Sequence, residues 1–148
     1  MQRKITRHGK DLRVGRWSRT GHVYHITTAT RHRRRVFVEL YAARAVIASL
    51  SHADDAGETR TLAFVLMPDH LHWLLELRRG SLAAVVGGMK SSSAHRLGRP
   101  VWQPGYHDHA LRRDEDLRTV ARYIIANPLR AGLVERVGDY PHWDAIWL

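Results

Sequence analysis

The segment spanning residues 59–77 constrains the fold more than any other part of the chain. It contains two apolar runs, TRTLAFVLM and HLHWLLEL, which are separated only by Pro68 and Asp69. β-Branched and aromatic residues favour strands, and a Pro–Asp break favours a turn. Strands joined by so short a connection pair antiparallel. The sequence therefore predicts a β-hairpin here.

Strand and helix patterns alternate on both sides of this hairpin. The run HVYHITTAT, residues 22–30, is β-branched and aromatic with rough alternation, which predicts a strand. Apolar residues three and four apart predict a helix over residues 36–52. A second helix is predicted after Ser81, which is a suitable N-cap, with a looser polar end over residues 91–98.

The C-terminal third adds a loop, a short strand and a last helix. Residues 101–113 predict an irregular loop that leads into a short strand. Asp114 is the predicted N-cap of the last helix, Pro128 its kink and Gly132 its end. The order strand, helix, strand, strand, helix, strand, helix predicts an α+β fold, with a ferredoxin-like or RRM-like antiparallel sheet, helices on one face and an added C-terminal helix.

Charge and composition limit the partners. A chain of 148 residues forms one domain by size, and its net charge of +10 favours a polyanion, with nucleic acid as the leading class. No run approaches the roughly 20 apolar residues of a membrane span, and no secretion leader is evident. We expect a cytoplasmic, nucleoid-associated protein with a basic arm (1–20), a catalytic domain (21–134) and a tail (135–148). Because the chain has no cysteine, any metal needs His, carboxylate or amide ligands.

His70 and His72 are the first candidate site residues. Strand alternation sends both imidazoles to the face opposite the apolar Leu71 and Trp73, where they can reach one metal ion. Two ligands leave a metal incomplete, so a third protein group is required. The alternative is that two polar residues simply occupy a solvated strand face.

Tyr123 and Asn127 are the second pair of candidates. They lie four residues apart on the last predicted helix and share one of its faces. The phenol could reach the sheet surface, and the amide oxygen could serve the same metal ion. The alternative is a tyrosine that completes the core, followed by an asparagine that merely precedes a proline.

Basic and aromatic residues could hold nucleic acid. Arginines of the RHRRR run and cations further along the chain could line a phosphate track, while Trp17, Trp102 and Tyr106 could stack on unpaired bases and His107 could lie near DNA. The alternatives are a solvated charged face and tryptophans that belong to the core. The candidate cations are Arg31, Arg33, Arg34, Arg35, Lys90, Arg96, Arg99, Arg112 and Arg113.

Three motifs, taken in order, resemble a known family. FVLMPDHLHWLLEL, VWQPGYHDHALR and DLRTVARYIIANPLRAGLV are similar to segments of the REP-associated tyrosine transposases, single-tyrosine transposases of the His-hydrophobe-His endonuclease superfamily. The resemblance implies that His70 and His72 are metal ligands and that Tyr123 is a nucleophile forming a 5′-phosphotyrosine. It implies Asn127 as third ligand, where relatives in the wider superfamily usually have Gln.

The same resemblance implies the cofactor and the substrate. The cofactor would be a divalent metal, Mg²⁺ or Mn²⁺, and the substrate single-stranded DNA with foldback hairpins, such as repetitive extragenic palindromes, bound by a monomer or homodimer. Two alternatives remain open. One is a non-catalytic protein that binds DNA or RNA hairpins, and the other is a phosphodiesterase that uses water as its nucleophile.

Overall fold

The predicted hairpin forms the middle of a five-stranded antiparallel sheet. The computed structural model describes residues 18–112 and 116–147. Strands β2 (Thr59–Met67) and β3 (His70–Leu77) have the predicted bounds and pair through the turn at Pro68 and Asp69. The remaining strands are β1 (Val23–Ala29), β4 (His107–Ala110) and β5 (Trp143–Ala145), and the order across the sheet is β4-β1-β3-β2-β5. Strand β3 is therefore central.

Helices pack on both faces of this sheet. Helices α1 (Leu40–Asp55) and α2 (Leu82–Leu97) cover one face, and the main core contains the alternating apolar side chains of β3. Trp73 is fully buried in that core, and its Nε1 donates a hydrogen bond to Thr61 Oγ1 at 2.9 Å. The predicted α+β fold with an added C-terminal helix is confirmed.

The added helix α3 (Leu117–Ile125) packs on the opposite face of the sheet. Its buried residues Ala121 and Ile124 belong to a second core cluster that includes Leu74 of β3. Leu74 alternates with Trp73, so it points to the same face as His72. Helix α3 and the two histidines thus share one side of the sheet.

The first helix begins later than the sequence pattern predicted. Residues Val36–Val38 form a 3₁₀ turn, and α1 runs from Leu40 to Asp55 rather than over residues 36–52. The Phe37 N–H donates to the Pro68 carbonyl at 3.0 Å, so a tertiary contact with the hairpin turn fixes this segment. Phe37 is buried for that reason and not because it lies on a helix face.

The predicted loose end of α2 is also wrong. The helix stays regular to Leu97 and ends at Gly98, whose φ of 69° is left-handed. The buried hydroxyl of Ser93 donates to the Met89 carbonyl at 2.8 Å, which satisfies it within the helix. Ser81 is the N-cap, as predicted, and its hydroxyl accepts a hydrogen bond from the Ala84 amide.

The last helix is capped by Asp116 rather than Asp114. Asp116 accepts hydrogen bonds from the Arg118 amide at 3.1 Å and from the Thr119 hydroxyl at 2.7 Å. Asp114 lies outside the described residues. Pro128 ends the helix instead of kinking it, because proline lacks an N–H and clashes with the preceding turn.

A one-turn helix follows this break. Helix α4 (Asn127–Arg130) begins with Pro128 in its first turn and ends before Gly132, whose φ of 75° closes the segment as predicted.

The tail contributes a strand that was not predicted. Strand β5 pairs antiparallel with β2, and the Tyr140 hydroxyl donates to the Leu66 carbonyl at 2.6 Å. Three residues are too few to show a two-residue alternation, so the pattern gave no strand signal. Among residues 18–112 and 116–147, no helix is long and apolar enough to cross a bilayer.

Candidate active site

His70 and His72 lie side by side on β3, as the alternation predicted. Their ring centroids are 4.9 Å apart with the rings nearly perpendicular, and both side chains are partly buried. The spacing allows both imidazoles to approach one ion.

Each imidazole is held through its Nδ1 atom. His70 Nδ1 lies 2.7 Å from Asp69 Oδ1, and His72 Nδ1 lies 3.0 Å from the Nε2 of His25. Thr27 Oγ1 is 3.3 Å from the same His72 nitrogen. Metal-bound histidines commonly have one ring nitrogen fixed in this way, which leaves the other nitrogen for the ion. In both residues that other atom is Nε2.

His25 is a site residue that the sequence reasoning missed. It lies on β1 with its ring centroid 5.2 Å from that of His72, and Thr27 of the same strand is paired directly with His72. The alternation of HVYHITT places His25 and Thr27 on one face, which was the available signal. The pairing of β1 with β3, needed to bring that face to the His pair, could not be read from the pattern.

Burial keeps the imidazoles of His72 and His25 neutral at pH 7. Burial, followed by the charges of His70, His25 and Arg130, lowers the pKa of His72 to about 3. Burial and the neighbouring His109 lower the pKa of His25 to about 4. A neutral imidazole is the form that binds a metal ion, so at neutral pH His72 needs to lose no proton.

Asp69 links the His pair to the turn formed by residues 31–35, which we call the basic turn. Its Oδ1 contacts His70, and its Oδ2 accepts a hydrogen bond from Arg33 Nε at 3.0 Å. Burial alone would raise the pKa of Asp69, but the hydrogen bonds and positive charges of His70 and Arg33 outweigh it and lower that pKa.

The basic turn has an unusual backbone. His32 and Arg33 both have left-handed φ values, 57° and 52°, and the Thr30 hydroxyl holds the turn by donating to the Arg34 carbonyl at 2.7 Å. Side chains rarely adopt this conformation, and it costs free energy that the surrounding contacts must offset. The predicted cations Arg31, Arg33, Arg34 and Arg35 are all exposed, and Arg33 is linked to His70 through Asp69.

Tyr123 is exposed on α3, with 63% of its surface accessible. The alternative that its ring completes the core is therefore wrong. Arg130 stacks on the ring, its Cζ lying 3.8 Å from the ring centroid, and its Nη2 donates to the Tyr123 carbonyl at 2.8 Å.

Asn127 lies at the break between α3 and α4. Its Nδ2 donates to the Ile124 carbonyl at 2.7 Å, which fixes the amide and reserves Oδ1 as its possible ligand atom. Within residues 18–112 and 116–147, no group of three or more His, Asp or Glu side chains is placed to hold a metal. A metal ion bound by the two imidazoles would need an amide oxygen or water to complete its coordination sphere, and Asn127 carries such an oxygen.

Trp102 is not available for base stacking. It is only 8% exposed, packs against Phe37 and donates from Nε1 to Ser93 Oγ at 2.9 Å. The core alternative applies to this residue, because the loop after α2 folds onto the helical layer. Tyr106 is partly buried against the same core.

The other described residues predicted to contact DNA lie on or just after α2 and on or just after β4. Lys90 donates from Nζ to the carbonyls of Gln103 and Gly105, so it anchors the loop after α2. Exposed side chains remain at Arg96, Arg99, His107 and Arg112. Arg113 and Trp17 lie outside the described residues.

Comparison with known proteins identifies the family. Residues 18–127 match the family model described as transposase IS200-like. The chain belongs to that family. The matched range includes the His pair, Tyr123 and Asn127.

Two transposases illustrate the relationship. The REP-associated tyrosine transposase of Escherichia coli (strain K12) is 33% identical over 82 residues, which are 53% of this chain and 50% of that protein. A solved structure of a REP-associated tyrosine transposase bound to a REP hairpin has a TM-score of 0.76 at 25% identity, covering 86% of this chain and 79% of that one. The resemblance seen in the sequence motifs is confirmed, although the chain spans only about half the length of the curated relatives it matches.

Proposed function

We propose that this IS200-like transposase nicks and rejoins single-stranded DNA beside hairpins, with Tyr123 as nucleophile. The main support is the position of an exposed tyrosine on the helix that covers the His70–His72 face of the sheet. Arg130 contacts Tyr123, and its charge also acts on His72. If His70 and His72 simply occupied a solvated strand face, no such tyrosine and arginine would be needed on the same side of the sheet.

The chemistry transfers a phosphoryl group to the tyrosine and later back to DNA. The Tyr123 oxygen bonds to phosphorus as the phenol loses its proton to solvent, and the bond from phosphorus to the 3′ oxygen breaks. The leaving oxygen takes up a proton and becomes a 3′-hydroxyl, while the 5′ end remains a phosphotyrosine. A second 3′-hydroxyl can reverse the step and release the phenol, so joining needs no nucleotide cofactor.

A divalent cation, Mg²⁺ or Mn²⁺, suits the available donors. His70 and His72 would hold it through Nε2 and Asn127 through its amide oxygen. When bound, such an ion withdraws charge from the scissile phosphate and orients it. Asp69, His25 and Thr27 would keep the two imidazoles in the orientation required for binding.

The substrate proposal depends on charge and on the hairpin-bound relative. The arginines at residues 31 and 33–35 are exposed in a turn that contacts Asp69 through Arg33, and the chain has a net charge of +10. DNA that passes over this turn would reach the His pair with its phosphates neutralised. We propose single-stranded DNA with REP-like palindromic hairpins as the partner, bound by a monomer or homodimer.

Covalent trapping tests the proposal. The protein is mixed with a labelled foldback oligonucleotide and Mn²⁺, Mg²⁺ or EDTA, and adducts are resolved on a denaturing gel. We expect a metal-dependent adduct that Tyr123→Phe and His70→Ala abolish. Tyr41→Phe is the matched control, because Tyr41 is similarly exposed, at 59%, but lies on α1, across the sheet from α3.

Two outcomes would contradict the proposal. Free nicked strands without attached protein would indicate that water is the nucleophile. Tight hairpin binding with no adduct under any metal would indicate a non-catalytic hairpin-binding protein.

A further inference from the structure

We propose that Arg130 is a positioning residue for Tyr123, which holds the phenol ring and keeps a positive charge against it during attack on the scissile phosphate. This inference rests on the proposed function. It concerns a side chain that the metal and nucleophile assignments do not use.

The guanidinium makes two contacts with the same tyrosine. It stacks on the ring at 3.8 Å, and its Nη2 donates to the Tyr123 carbonyl at 2.8 Å. Arginine can stack and donate in its own plane at the same time, whereas the lysine ammonium is a point charge without a stacking face. A tyrosine that is 63% exposed has few other packing contacts to fix its rotamer. Arg130 therefore supplies order that the core does not.

The backbone explains how residue 130 returns to residue 123. Helix α3 ends at Ile125, and the short α4, with Pro128 in its first turn, brings Arg130 back to the end of α3. The Tyr123 carbonyl is among the last four of α3, which lack partners within the helix. A cation at this negative end of the helix dipole is also favourable. The same contact thus stabilises the helix end and orients the reactive side chain.

The charge of Arg130 lies against the attacking residue. Its Cζ is 3.8 Å from the centroid of the Tyr123 ring. A phosphate that the Tyr123 oxygen attacks must therefore come close to this guanidinium. In the attack, a phenolate oxygen approaches an anionic phosphate, and a fixed cation reduces that repulsion without reorganisation.

The experiment separates the rate of adduct formation from DNA binding. Single-turnover rates at saturating hairpin DNA with Mn²⁺, and Kd values in EDTA, are measured for Arg130→Ala, Arg130→Lys and Arg130→Gln. Arg136→Ala is the matched control, because Arg136 is an exposed arginine paired with Asp139 in the tail. We expect Arg130→Ala to slow adduct formation by about 10- to 100-fold, with a much smaller change in Kd.

The conservative variants separate positioning from helix stability. Lys and Gln can still donate to the Tyr123 carbonyl, so we expect near-normal melting temperatures but only partial recovery of the rate. Millimolar guanidinium should restore part of the rate in Arg130→Ala and none in Arg136→Ala. An unchanged rate at saturating DNA, or a loss confined to Kd, would overturn the inference.

A second readout remains informative if the proposed function fails. With 3-fluorotyrosine at position 123, the ¹⁹F resonance should shift and broaden in Arg130→Ala and Arg130→Lys relative to the unmodified arginine. If the wild-type chain forms no adduct but the resonance responds, the nuclease proposal fails while the placement of Arg130 holds. A resonance that ignores both substitutions would refute the placement itself.

Discussion

The two imidazoles of the H-x-H motif are equivalent in the sequence but not in their surroundings. His70 is held by a carboxylate adjacent in the chain, whereas His72 is held by His25, which lies 47 residues away. The sequence could predict the first neighbour from chain order alone. The second depends on strand pairing across the sheet, so the motif located the candidate ligands but not the residue that orients the inner one.

Asp69 provides a prediction at this scale. Asp69→Ala should weaken Mn²⁺ binding by about 10- to 100-fold, because His70 loses the acceptor that fixes its ring. Asp69→Asn should weaken Mn²⁺ binding less than Asp69→Ala does, since the amide oxygen can still accept a hydrogen bond from His70. The same substitution removes the ion pair with Arg33. Calorimetric titration of the DNA-free protein measures both.

Asp139→Asn is the control for Asp69. It removes a carboxylate that pairs with Arg136 at the surface. Equal Mn²⁺ affinity in wild type and Asp69→Ala would show that Asp69 does not orient the ligand.

At the level of strands and helices, periodicity predicted the existence of most elements better than their ends. The bounds of β2 and β3 agree with the prediction because alternation and the Pro–Asp turn delimit them. Two aspartates, Asp114 and Asp116, precede the last helix and both suit an N-cap, so local chemistry could not select Asp116. The start of α1 depends on the Phe37–Pro68 contact, which is tertiary.

The pairing of β1 with β3 creates a dependence of stability on pH. The pKa values of His25 and His72 are lowered from 6.5 to about 4 and about 3. Between those values and 6.5 the unfolded chain binds protons that the folded chain does not, so the free energy of unfolding falls as the pH falls. We expect each imidazole to contribute a loss on the order of 2 kcal/mol between pH 7 and pH 4.5 in urea unfolding with EDTA.

His25→Gln should flatten this dependence. Glutamine keeps a polar side chain on β1 but cannot titrate, so the decline in stability should be smaller than in the wild type. A decline of the same size in both proteins would mean that the buried imidazoles do not cause it.

Over the whole molecule, basic charge gathers beside the candidate site. The basic turn contacts the turn between β2 and β3 through the ion pair of Arg33 with Asp69. Composition alone could not reveal this contact. Composition predicted the class of partner, and the fold indicates a candidate location for it.

Salt dependence tests that location. Each phosphate that the protein no longer neutralises should reduce the slope of log K against log salt by about 0.7 to 0.9. For Arg34→Ala combined with Arg35→Ala, we expect the slope for hairpin DNA to fall by about 1.4 to 1.8. Fluorescence anisotropy from low to moderate salt measures it, with Arg136→Ala as the single-charge control. A slope unchanged by the double substitution would place the DNA elsewhere.

The short strand from the tail has a consequence for any attempt to shorten this protein. Strand β2 is apolar from Leu62 to Met67, and β5 occupies its outer side through the pairs Ala63–Ala145 and Val65–Trp143. Without β5, the unpaired backbone amides and carbonyls of β2 would be available to pair with strands of other protein chains. The opposite border, β4, is only four residues long and mostly polar, so it offers little to such association. Removal of residues 140–148 would therefore expose the molecule to aggregation.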